Sequence, residues 1–392
     1  MAKRRAKPVA APQQFPKSSF AFGQSAASEA PPEPDEKPDD FDEADALAEP
    51  ARQASPEAAA EQRLGSLADH LERTGRHPVV IFGIGSAGKT TLLMSLVQAI
   101  NRSNEVNIFL GEPILPEEDP RAEQSHEQAI TFFEHDAQAF ALGEPVPPTR
   151  LDDPYFIPVD IVHKRNGRVV RLALLEGKGE WYAPITGAKK GSMFQKFKRD
   201  LADLLELYGE SITVLWVAPY AIGAGKKRDT RNSDLGLTGA INNYRKHRTA
   251  IGQDHHLFLL NKWDCYAPPL QDNPQFSVVT DTLVDALIGE LYPNAWPNYE
   301  ALSLQTVGRR FFMQYASGHI VGDQVRVPPQ RHRSAFDRYP RTVWNWLYGN
   351  ATQSEVGAAG ARTRETLFPD ILPRPKRAET LLEKLIRLIL PR

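Results

Sequence analysis

Residues 83–90 read Gly-Ile-Gly-Ser-Ala-Gly-Lys-Thr, between the apolar run Pro78-Val-Val-Ile-Phe82 and a helical pattern over 89–101. Glycines at 83, 85 and 88 break both neighbouring patterns, so the chain must pass from strand through a tight loop into a helix. From His77 onward the same alternation recurs. Strand patterns fall at 78–82, 155–163, 168–175, 211–218, 256–260 and 311–316. Helical patterns fall at 89–101, 192–208, 233–250 and 280–292. In the run 192–208, Phe197, Leu201, Leu204, Leu205 and Tyr208 recur at helical spacing and Gly209 ends it. Alternating strands and helices predict an α/β fold of three layers, a mostly parallel sheet with helices on both faces. Asn166-Gly167 between two strand patterns is a hairpin signal, which predicts one antiparallel edge strand.

The flanks differ in composition. Residues 1–54 form a Pro- and acid-rich leader with ten acidic residues between Glu29 and Glu49 against the single base Lys37, which predicts disorder. A short helix is expected within 55–76, capped by Ser55-Pro56 and ended by Gly75. The main domain spans 77–350, with a long insertion at 102–154. Arg and Pro crowd 324–341, and 342–348 reads as one more helix. A linker at 351–376 leads to an amphipathic helix in 377–392, with Leu381, Leu382, Leu385, Ile386, Leu388 and Ile389 on a broad apolar face. Its own domain, a protein partner or, less favoured, a membrane surface would cover that face. A net charge of −2 implies no bulk attraction to nucleic acid, and the basic stretches 189–199 and 226–231 read as solvated. One cysteine, Cys265, excludes an internal disulfide framework. With no apolar run after Arg4-Arg5 and no transmembrane stretch, a cytoplasmic location is expected.

The octapeptide matches G-x-x-x-x-G-K-[ST] in full. Each residue type has a task in such a loop. Gly83, Gly85 and Gly88 let the backbone wrap closely, so that N–H groups from Gly85, Ser86, Ala87, Gly88, Lys89, Thr90 and Thr91 face an anion. The helix N-terminus adds partial positive charge. Lys89 is expected on the β- and γ-phosphates, and the Thr90 hydroxyl on Mg²⁺.

The nucleotide is indicated by Asn261-Lys262-Trp263-Asp264, directly after the apolar run 256–260. With that order of motifs the chain resembles P-loop NTPases of the translation-factor and small-GTPase class over roughly residues 77–320. The resemblance implies GTP and GDP as ligands with Mg²⁺. Asp264 would accept from the guanine N1–H and N2 amino groups, Lys262 would lie along the base, and Asn261 would brace the phosphate loop. It also implies a D-x-x-G segment after the third strand. Here Glu176-Gly177-Lys178-Gly179-Glu180 stands in that place, with Glu176 toward the metal, Gly179 toward the γ-phosphate and Glu180 where relatives use Gln to orient water. Ala316 and Ser317 would occupy the loop that contacts guanine O6. Thr149 would supply the remaining metal hydroxyl, with Thr131 as competitor. Arg150 and Lys178 are the candidates for a charge-stabilising finger.

The long insertion, the Pro147-Pro148-Thr149 segment and the Gly-Glu pair at 179–180 resemble, more narrowly, the bacterial double-GTPase group of conflict-type systems. This likeness implies protein partners: an activator, an effector or a second GTPase. The activity implied is hydrolysis of GTP to GDP and phosphate in a partner-regulated switch. The departures at Glu176 and Glu180 keep open a GTP-bound scaffold with little turnover, and an ATPase would require residues 261–264 to be coincidental.

Overall fold

The computed structural model describes residues 67–115, 117, 119, 121–144, 155–176, 201–221, 230–266, 279–306, 311–321, 324–326, 333–353 and 367–368. Its centre is a mixed seven-stranded sheet. The strands are β1 (His77–Phe82), β2 (Val106–Leu110), β3 (Tyr155–His163), β4 (Val169–Glu176), β5 (Thr213–Pro219), β6 (His255–Asn261) and β7 (Phe312–Gln314), in the order β2-β3-β4-β1-β5-β6-β7. β4, β1, β5, β6 and β7 pair in parallel. Every residue of β1, β5 and β6 is buried, so the middle of the sheet is covered on both faces. This is why those segments read as unbroken apolar runs rather than as alternating ones.

The helices in chain order are α1 (Leu67–Thr74), α2 (Lys89–Asn101), α3 (Ala122–Thr131), α4 (Ala137–Leu142), α5 (201–207), α6 (Arg231–His247), α7 (Trp263–Tyr266), α8 (Asp281–Leu291), α9 (Ala295–Ser303) and α10 (Arg333–Gln353). One π-turn, Phe132–Asp136, joins α3 to α4. A small hairpin of β8 (His319–Val321) and β9 (Gln324–Arg326) stands apart from the sheet. None of the helices among the described residues is long and apolar enough to cross a membrane.

Four elements differ from the sequence expectation. β3 runs antiparallel to β4 across the turn at 164–166, but it is not the edge strand, because β2 pairs with its other side. β2 comes from the stretch read as insertion. Its burial alternates over five residues, too short a pattern to register against the polar sequence around it. The run 311–316 is a strand only at Phe312–Gln314, since Tyr315 turns away to bond elsewhere. Finally, α10 begins within the Arg- and Pro-rich stretch, at Arg333, with Pro340 inside it. A proline in a helix interior costs about 3 kcal/mol. The buried stripe of Phe336, Tyr339, Val343, Trp344, Leu347 and Tyr348 offsets that cost. The leader 1–54, the rest of the 192–208 helix and the C-terminal stretch 377–392 lie outside the described residues.

The foot of β6 is held by an ion pair. The side chains of Arg248 and Asp254 are fully buried, with Nε to Oδ2 and Nη2 to Oδ1 both at 2.8 Å. Tyr244 Oη donates to the same carboxylate at 2.5 Å, and the Ile212 N–H at 2.9 Å. Arg248 also donates to the carbonyls of Tyr208 and Glu210. The cluster thus joins α6, the end of α5, the entry to β5 and the entry to β6. Asp254→Ala leaves a buried guanidinium without its counter-charge, a loss of about 3–5 kcal/mol. Chemical denaturation is expected to show that loss, while an exposed control such as Glu134→Ala stays within about 0.5 kcal/mol of the parent.

Candidate functional site

β1 ends at Phe82 and the chain turns along the C-terminal ends of the strands. A Cβ at Gly83 would lie 2.9 Å from the Val217 carbonyl oxygen on β5, so the loop leaves the sheet at a distance only glycine allows. Within the loop the Ala87 N–H bonds back to the Ile84 carbonyl at 3.2 Å. Ser86 sits at φ 62° and Gly88 at φ 84°, both left-handed. Gly88 is then the N-cap of α2 and provides no side-chain cap. Among the described residues no hydrogen bond takes up the N–H of Gly85, Ser86 or Gly88. Donors at the head of a helix, with its partial positive charge, form an anion-binding concavity.

Lys89, 7% exposed, curls back over this loop, and its Nζ donates to the carbonyls of Gly83 at 2.9 Å and Ile84 at 3.3 Å. The ammonium is therefore held at the loop by the backbone it encloses. Thr90 and Thr91 follow in the first turn of α2, both partly exposed.

The turn after β6 meets the loop directly. Asn261, buried at the end of that strand, donates from Nδ2 to the Ala87 carbonyl at 2.8 Å. A Cβ on Gly88 would lie 2.8 Å from that same nitrogen, so the bond requires glycine there. Lys262 takes a left-handed φ of 58°, which turns the chain sharply into the single turn of α7. Burial lowers its ammonium pKa against the opposing influence of Cys265 and Asp264. Asp264 is 5% exposed in that turn. Burial and the nearby Asp264 charge push the Cys265 thiol up to about 11, so it stays protonated at neutral pH.

The end of β7 closes the other side. The Tyr315 N–H donates to the Leu260 carbonyl at 2.8 Å and the Tyr315 carbonyl accepts from the Trp263 N–H at 3.0 Å. This sets buried Ala316 and partly buried Ser317 directly after a residue bonded to the 261–264 turn. The Ser317 hydroxyl is buried with no hydrogen-bond partner among the described residues.

Residues 83–91, 261–264 and 316–317 are thus gathered at one end of the sheet. Glu176 ends β4 there too, one residue past the pair Val80↔Leu175. Thr149, Arg150, Lys178, Gly179 and Glu180 lie outside the described residues. The competitor Thr131 belongs to exposed α3 surface and bonds the Glu127 carbonyl at 3.0 Å. Among the described residues no group of three His, Cys, Asp or Glu side chains is placed to hold a metal ion. The His255-His256 pair is buried within β6, where burial brings His256 down to about 3, and it serves as core.

Two supports escaped sequence reading. Ser95 on α2 and Tyr315 share a buried hydrogen bond of 2.6 Å, which ties the helix after the loop to the end of β7. No local pattern marks that pair. Gly236 on α6 approaches Ile84 so closely that a Cβ would lie 2.5 Å from its Cγ2. A glycine inside the 233–250 helical pattern was a signal of such close approach.

No protein-family model matches this chain, and no curated protein is similar to it at a significant level.

Two substitutions test the tie between the loop and β6. Asn261→Ala leaves the Ala87 carbonyl without its partner, a loss of about 1–3 kcal/mol. Gly88→Ala adds both the clash and the left-handed strain, costing about 1–3 kcal/mol. Because both act through one contact, the double variant is expected to lose clearly less than the sum of the singles in denaturant titrations.

Proposed function

We propose that this chain is a P-loop guanine-nucleotide-binding protein that hydrolyses GTP to GDP and phosphate, acting as a switch under the control of a protein partner. The observation that carries the reading is the 2.8 Å bond from Asn261 Nδ2 to the Ala87 carbonyl. It joins two segments of independent chemistry, a glycine loop with unclaimed N–H donors and a turn bearing a buried carboxylate. Either motif alone occurs for other reasons. Their junction through the side chain that the N-K-x-D pattern assigns to this task favours one shared ligand.

The loop fits a polyphosphate by its donors and its charge. Gly85, Ser86 and Gly88 supply N–H groups, and Lys89 supplies a cation held against the same backbone. The carboxylate of Asp264 suits the adjacent N1–H and N2 donors of guanine, for which adenine has no equivalent pair. Thr90 and Glu176, with Thr149, would hold Mg²⁺, whose charge would offset that developing on the transferred phosphoryl group. Positioning and charge neutralisation by Lys89 and the loop amides are then the main contribution of the chain itself. Glu at 176 and 180, in place of Asp and Gln, favours slow intrinsic turnover and the need for a partner.

Competition of GTP and ATP for a fluorescent guanine nucleotide tests this reading. GTP and GDP are expected to displace it and ATP to do so weakly. Asp264→Ala should reduce guanine affinity about ten-fold or more, the effect of leaving two donors unpaired. Equal competition by ATP and GTP overturns the guanine assignment. Lys89→Ala should abolish hydrolysis in single-turnover assays with the fold intact by circular dichroism. Unstimulated turnover of the parent is expected near the about 10⁻⁴ s⁻¹ of switches that lack their finger.

A further inference from the structure

β2 ends the sheet with one edge unpaired among the described residues, and its backbone orientation can be read from its neighbours. The Gly111 N–H bonds the Pro158 carbonyl, and the Lys164 N–H bonds the Glu105 carbonyl, each at 3.0 Å. Residues 105 and 111 therefore turn their polar groups toward β3, and by the strict alternation of an antiparallel ladder so do Asn107 and Phe109. The N–H and C=O groups of Val106, Ile108 and Leu110 consequently face the open edge.

Nothing in the strand protects that edge. Val-Asn-Ile-Phe-Leu holds no charge, no proline and no bulge, the devices that keep edge strands from pairing. A groove of about 310 Å³ lies against it, lined by Asn101, Ser103, Val106 through Phe109, and Lys164. Residues from both faces of the strand line one groove, so the groove follows the edge. Phe109 is 51% exposed on the face turned away from Val106 and Ile108.

We propose that the free edge of β2 is a strand-pairing surface for a second copy of this chain, in a two-fold antiparallel arrangement centred on Ile108. The sequence is complementary to itself in that register alone. Ile108 meets the Ile108 of the other copy and Val106 meets its Leu110, so all three outward-facing residues find partners on both strands. The buried row of each sheet continues into the other. On the opposite face Asn107 meets Phe109 of the other copy, and the exposed ring gains a neighbour. Beyond the strand, Glu112 of one copy arrives beside Asn104 of the other, within the reach of Lys164, whose Nζ lies 3.2 Å from the Ser103 carbonyl. In this register Glu105 lies opposite Gly111 of the other copy, so no two like charges are directly paired along the strand. A single isologous contact of this kind closes a dimer and leaves no further edge of β2 exposed.

The test uses the full chain and two side chains that are exposed in one copy. Sedimentation or light scattering at up to about 100 µM, two decades above a micromolar dissociation constant, is expected to give twice the mass of one chain. The pair Asn107→Lys and Phe109→Lys sets lysine against lysine across the contact and should yield a monomer with an unchanged circular dichroism spectrum. The pair Asn107→Asp and Phe109→Asp should do the same, and mixing the two proteins should restore the dimer. Hydrogen exchange should show the Val106, Ile108 and Leu110 amides slowed in the parent and fast in either charged variant. A parent that stays monomeric over this range overturns the proposal. So does a dimer that survives both charged variants, or slow exchange at these amides in a monomer, which would assign the edge to another occupant. Nucleotide affinity is read separately, so failure of this contact and failure of the guanine assignment are distinguishable.

Discussion

The contact between Asn261 and the Ala87 carbonyl organises the end of the sheet where the candidate site lies. It constrains three things at once. Gly88 must be glycine because a methyl group would occupy the space of the amide nitrogen. The loop must pass over β5 at Gly83 to bring Ala87 within reach. β6 must run its full length so that its last residue stands beside the loop rather than short of it. The ion pair of Arg248 with Asp254 serves that third requirement from the far end of the same strand, holding its entry against α6 and β5.

The loop is braced from several sides, and each brace is of a different kind. Lys89 closes it with a charge-assisted hydrogen bond, Asn261 with a neutral one, and Gly236 with van der Waals contact against Ile84. Left-handed residues such as Ser86 and Lys262 cost free energy, and such conformations persist where the surroundings over-determine them. The pattern of bracing explains how a loop with two left-handed residues keeps one shape. It also connects α6 to the loop. Asp234 on that helix accepts from the backbone of Asn294 and Ala295, at 2.7 Å from the latter, and so caps α9.

The two parts of the sheet are built differently. The parallel strands β1, β5 and β6 are covered on both faces and present their C-terminal ends to the candidate site. The antiparallel strands extend away from it and finish in an uncovered edge. Charge and glycine collect at the first place; uncharged β-branched and aromatic residues mark the second. The fold thus keeps the candidate site and the open edge of β2 on separate parts of the sheet.

The strand before residue 83, the loop and the helix after it were legible locally, because apolar runs and glycines act over a few residues. The strand at 255–261 and the Asn-Lys-Trp-Asp turn at its end were legible for the same reason. β2 was not, since an alternating five-residue strand becomes distinct only when β3 lies beside it. The length of α10 was not either, because Pro340 argues locally against a helix that burial of its apolar stripe sustains. The sequence by itself determined where the candidate site residues fall: the glycines, Lys89, Asn261 and Asp264. Only the tertiary structure decided that Asn261 and Ala87, 174 residues apart, share a hydrogen bond, and that Ser95 holds Tyr315 across the same end. Such contacts depend on how strands are ordered in the sheet. That order is set by burial summed over the whole domain, so the expected brace by Asn261 acquires its partner atom, and the pair of Ser95 with Tyr315 its contact, only in the folded sheet.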